Sequence, residues 1–86
     1  MLALAGCGSG GKEQLPVLTS LRLASLSEQV AAGGNCGGPL VAAVVSAVNR
    51  GEVPPSLQEE IVSEANRIAA TCSRRGARAF AARLRS

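Results

Sequence analysis

Pro54-Pro55-Ser56-Leu57-Gln58-Glu59-Glu60-Ile61-Val62-Ser63-Glu64-Ala65-Asn66-Arg67-Ile68-Ala69-Ala70-Thr71-Cys72 carries a helix together with its start signal. Two prolines forbid any preceding helix from running on. Ser56 and Glu59 have capping-box spacing, in which the hydroxyl accepts from the Glu59 N–H and the carboxylate reaches back. Leu57, Ile61, Ala65, Ile68, Ala69 and Cys72 then form one apolar stripe at helical spacing. Glu60, Glu64 and Arg67 fall on the outer face, with Glu64 and Arg67 three apart and opposite in charge. Those carboxylates read as a solvated face rather than a catalytic pair.

Working towards the N-terminus, Leu40, Val41, Val44, Val45 and Val48 fall in a second stripe, opposite Ser46, Asn49 and Arg50. The valines favour extended chain, but strict alternation is absent, and Val44-Val45 would point to opposite faces of a sheet. Pro39 suits a helix start and Gly51 a helix stop, which predicts a helix over about 39–50. Pro16 opens a further helix that closes at Gly33-Gly34. Its pattern is double: Leu23, Leu26 and Val30 share one face, while Val17, Leu21 and Ala24 lie nearly opposite. Such a helix packs on two sides, bends, or leaves one face for a partner.

The helices over 39–50 and 57–75 make an antiparallel hairpin turning through Gly51–Pro55. Cys36 lies fourteen residues before Arg50, and Cys72 sixteen residues after Ser56. At a rise of about 1.5 Å per residue both cysteines reach the same end of the hairpin. A Cys36–Cys72 disulfide is the natural reading, with free or buried thiols as the alternative. No C-x-x-C pair or histidine exists, so metal and thiol catalysis have little to work with. The loop Gly33-Gly34-Asn35-Cys36-Gly37-Gly38 lacks the Lys and Ser/Thr of a phosphate-binding loop and reads as a connection that lets Cys36 reach Cys72.

Composition narrows the function. Eighty-six residues make one small domain, with Phe80 the sole aromatic residue. The core must come from Leu, Val, Ile and Ala. His, Asp, Tyr and Trp are absent, which removes most acid–base machinery and most aromatic binding platforms. We expect no enzyme activity, no cofactor, no metal and no small-molecule substrate. No stretch approaches the ~20 apolar residues that span a bilayer.

Leu4-Ala5-Gly6-Cys7, directly after apolar residues, resembles the lipobox of bacterial lipoproteins. With the Cys-bounded helical hairpin and a composition rich in Ala, Gly and Arg, the chain resembles small lipoproteins of GC-rich, actinobacterial-type bacteria. The resemblance implies that Cys7 carries diacylglycerol and that the protein sits lipid-anchored at the extracytoplasmic face of the cell membrane, where thiols oxidise. Residues 1–14 then comprise a shortened signal, the lipobox and a Gly/Ser-rich tether, Gly8-Ser9-Gly10-Gly11-Lys12. Two cysteines pair and the odd one is acylated.

The last segment, 76–86, is basic. From Ser73 onward Arg74, Arg75, Arg78, Arg83 and Arg85 occur without an acidic residue, so the net charge of +3 arises there. With Ala79, Phe80 and Leu84 interleaved, the segment reads as a basic amphipathic helix continuing past Gly76, or as a frayed end. The five arginines are candidates for binding an anionic surface such as lipid headgroups.

The expected fold is all-α: three helices with the hairpin stapled by Cys36–Cys72, the domain spanning 15–75. The expected function is a non-enzymatic, lipid-anchored envelope protein that binds or scaffolds a protein partner, with nucleic acid disfavoured for an exported chain. The alternative is an intracellular helical module whose Arg-rich tail binds nucleic acid or another acidic partner.

Overall fold

The computed structural model of the protein describes residues 15–85, which fold as four helices: α1 (Val17–Ala31), α2 (Gly38–Asn49), α3 (Pro55–Thr71) and α4 (Arg74–Arg85). The all-α fold and the stapled hairpin of α2 and α3 are as the sequence leads one to expect. The segment left open between helix and frayed end is a fourth full helix. Residues 1–14, with Cys7 and the tether, lie outside the described residues.

The helix ends follow from backbone chemistry. α1 and α2 close in the same way. A glycine with positive φ, Gly33 at 86° and Gly51 at 75°, follows the last turn. The amides of Gly34 and Glu52 then reach back to the carbonyls of Gln29 and Ala47. Gly37 is held harder. Its φ is 108°, and a Cβ there would stand 3.3 Å from the Ala69 Cα of α3. Only glycine satisfies both constraints.

α3 begins earlier than the capping-box reading implies. Pro54 takes the cap position in extended conformation and Pro55 enters the first turn, where its missing N–H costs nothing. Ser56 is therefore already inside the helix, and no side chain at the cap position bonds to the first turn. α3 also ends sooner than residue 75. Cys72 adopts a left-handed conformation, φ 52° and ψ 41°, in the place glycine usually occupies. Ser73 immediately caps the next helix: its hydroxyl accepts from the Gly76 N–H at 2.9 Å. Two residues thus separate α3 from α4, and the chain reverses between them.

The order is up-down-up-down. The α2–α3 turn meets the start of α1, where the Thr19 hydroxyl donates to Glu52 at 2.9 Å. The end of α3 meets the α1–α2 loop at the disulfide. α4 starts there, beside Gly33, and folds back along α1. Small residues make that last contact close. Ala24, Ser27, Ala77 and Ala81 are all buried, and the buried Ser27 hydroxyl donates to the Ala77 carbonyl. Leu23, Val30, Leu40, Val44, Val53, Ile61, Ile68 and Phe80 fill the core. Phe80 is the largest fully buried side chain, so the segment read as a basic tail supplies a central piece of the core.

Candidate functional site

Cys36 and Cys72 form a disulfide with their Cα atoms 4.6 Å apart. The bond ties the α1–α2 loop to the α3–α4 junction, so all four helices meet it at one end of the bundle. Both cysteines are exposed. The glycines of the adjoining loop serve the backbone, and the Asn35 side chain accepts from the Gly37 N–H at 2.8 Å.

The five arginines of α4 divide into two groups. Arg83 bridges Glu60, at 2.6 Å, and Glu64 of α3. Arg85 makes a two-pronged contact with Glu28 of α1, at 2.7 and 3.1 Å. These two lie at the C-terminal end of α4 and lace it to its neighbours. Glu64 is thereby taken up across the bundle by Arg83, whereas the sequence offers it Arg67 on its own helix. Arg74, Arg75 and Arg78 sit at the opposite, disulfide end, exposed and, among the described residues, outside any ion pair. Arg74 lies over Gly33 at the C-terminal end of α1, where the helix dipole favours a cation. Of the candidate anion-binding residues, this trio is open to solvent and to a partner.

The trio is also remote from the start of α1. The chain enters α1 at the end remote from the disulfide. α1 is 15 residues long, about 22 Å at 1.5 Å per residue. The start of α1 and the trio at the start of α4 thus lie at opposite ends, separated by more than the ~8 Å Debye length of physiological salt.

The two apolar faces of α1 also resolve. Leu23 is 1% exposed and Leu26 packs against the core, so a charge at either disrupts folding before it reports on a partner. Ala24, grouped with the opposite face in the sequence, is buried under α4. The apolar residues of α1 left in solvent are Val17, Leu18 and Leu21, at 72%, 77% and 43% exposure. Val45 of α2 is a further exposed apolar side chain at 44%. A shallow groove between α2 and α3 is lined by Val48, Gln58, Glu59, Val62 and Ser63.

Electrostatics at the bundle surface give one testable consequence. The Arg85 guanidinium hydrogen-bonded to Glu28 holds that carboxyl below its ordinary value of 4.5. The Arg50 side chain, and then the Thr19 hydroxyl, do the same for Glu52. A carboxyl with a lowered folded-state pKa adds stability that is full above its ordinary value and is lost as pH falls through the folded value. We therefore expect the thermal midpoint to drop on acidification below about 4.5. A Glu28→Gln/Glu52→Gln variant should show a shallower decline. Both groups face solvent, so the difference should be small and shrink with added salt. A decline of equal steepness in the variant, measured by calorimetry across that range, would assign acid sensitivity to other carboxylates.

No group of three or more His, Cys, Asp or Glu side chains that could hold a metal ion is found among the described residues, and no helix there is long and apolar enough to cross a membrane. The chain matches no protein-family model, no curated protein and no solved structure.

Proposed function

We propose that this is a non-enzymatic, lipid-anchored protein of the extracytoplasmic membrane face that binds or scaffolds a partner at the cell envelope. The observation that carries the reading is the accounting of three cysteines. Cys36 and Cys72 pair, which leaves Cys7, in its lipobox-like setting Leu4-Ala5-Gly6-Cys7, as the single thiol. A disulfide on the surface of a small domain fits an oxidising compartment, since cytosolic thiols are kept reduced. A diacyl-modified cysteine supplies two chains, enough to hold a protein firmly where one chain binds only marginally. His, Asp and Tyr are absent from the chain and its glutamates read as a solvated helix surface, so the reading assigns it binding rather than turnover.

The test is intact mass of the protein from its native host, with and without reductant and alkylation. A diacylglycerol-modified Cys7 at the N-terminus, with Cys36 and Cys72 alkylated only after reduction, supports export, anchor and staple together. Three freely alkylated thiols and unprocessed residues before Cys7 would overturn the reading. The open trio Arg74, Arg75 and Arg78 favours a second reading for that case: an intracellular helical module docking on nucleic acid or an acidic protein. It requires binding that falls steeply with salt and with Arg75→Ala or Arg78→Ala.

A further inference from the structure

We propose that Val17, Leu18 and Leu21 form a membrane-resting face, which seats the first turns of α1 in the headgroup region of the bilayer that holds Cys7. The inference rests on the lipid-anchor reading of Cys7 and adds to it an orientation of the folded domain.

The three side chains share one side of the helix start, at positions i, i+1 and i+4. Elsewhere on α1 the leucines are covered; here two leucines and a valine stand in water. Nine residues, 8–16, separate Cys7 from α1. Nine residues span at most about 32 Å. An acylated Cys7 therefore keeps this face close to the lipid surface, at a local concentration that makes a weak contact effective.

Charge agrees with that occupant. Arg22, one turn beyond Leu18, is exposed and makes no ion pair within 4 Å among the described residues, though its charge acts on Glu52; Lys12 and Glu13 adjoin in the preceding stretch of sequence. Glu52, which accepts from Thr19 in the first turn of α1, is engaged by Arg50 and lies within the field of Arg22. Arg22 and Arg50 against the single Glu52 leave a local excess of positive charge beside the apolar side chains, a pattern that suits an interfacial helix on anionic lipid. A second copy of the chain fits less well. Three side chains offer well under the roughly 800 Å² per partner that a stable interface buries.

The experiment uses the full chain with its disulfide intact, so that Cys7 is the single reactive thiol. Coupling Cys7 to a maleimide lipid in vesicles of phosphatidylglycerol and phosphatidylethanolamine restores a tether whether or not the native host acylates it. Failure of the anchor reading is seen separately, in the mass of the native protein. Hydrogen exchange of the amides over 20–25 should slow by about tenfold on coupling, the scale of burying one leucine side chain. Leu18→Glu, at a position 77% exposed and so harmless to the fold, should abolish that slowing, while Arg75→Ala at the far end should leave it intact. Exchange over 20–25 unchanged by coupling would overturn the proposal. So would slowing that appears equally in concentrated uncoupled protein, which would give the face to a second copy.

Discussion

Removing the disulfide should cost the protein most of its stability. The bond closes a loop with a sequence separation of 36. On the chain-entropy account, freeing it returns roughly 4 kcal/mol to the unfolded state. A single core in a domain of this size supplies only about 3–5 kcal/mol. The two magnitudes are alike, so Cys36→Ser/Cys72→Ser should leave a chain that is largely unfolded at physiological temperature. Both cysteines are exposed, so serine forfeits little packing and the comparison isolates the crosslink. Guanidinium melts of the oxidised protein, the reduced protein and the double serine variant would measure it. A loss below about 1 kcal/mol would mean that the apolar contacts of the four helices suffice by themselves.

The same position separates crosslink from backbone. Cys72 holds a left-handed conformation that costs a residue with a Cβ about 1–2 kcal/mol. The tie to Cys36 holds it there. In a Cys36→Ser background, Cys72→Gly should therefore be more stable than Cys72→Ser by about 1 kcal/mol. If the order is reversed, the turn between α3 and α4 depends on the side chain at 72 and not on its backbone.

The parts of this fold that were legible in the sequence are those set by local signals. The stripe Ile61, Ala65, Ile68 is long and regular, Gly33 and Gly51 punctuate where helices stop, and counting residues brings Cys36 to Cys72. The break between α3 and α4 was harder to see because no glycine or proline occupies 72 or 73. A cysteine takes the left-handed place, and Ser73 serves both as the residue after one helix and the cap of the next. Its signal was present as a Ser followed by Arg-Arg-Gly, but an arginine-rich first turn opposes the usual acidic preference there. The faces of α1 depended on α4: without a fourth helix, nothing distinguished Ala24 and Ser27, which small size qualifies for close packing, from Val17 and Leu21, which stay outside. The division of the arginines into laced and open groups needed the tertiary pairing with Glu28, Glu60 and Glu64. The N-terminal reading of Cys7 stands on sequence alone.

Phe80→Ala should be the most damaging single substitution outside the disulfide. A frayed basic end predicts almost nothing for it, since surface changes usually fall within about 0.5 kcal/mol. In the folded structure Phe80 is 1% exposed and the largest side chain of the core, where truncation of a phenylalanine costs about 3–5 kcal/mol. That corresponds to a fall in Tm of about 15–30 °C for a domain this small. The ion pairs of α4 are a control for the alternative that charge holds the helix in place. Arg83→Ala and Arg85→Ala remove contacts whose side chains are 44% and 43% exposed, where such pairs are worth about 0–1 kcal/mol each. The expected order is thus Phe80→Ala far below both arginine variants, with Phe80→Leu in between because it keeps most of the buried volume. The reverse order would mean that α4 is attached by its charges and that its apolar face is dispensable. A tail that can detach would free all five arginines at once for an anionic partner. With Phe80 as the anchor, only Arg74, Arg75 and Arg78 remain available, and any such partner must be met at the disulfide end.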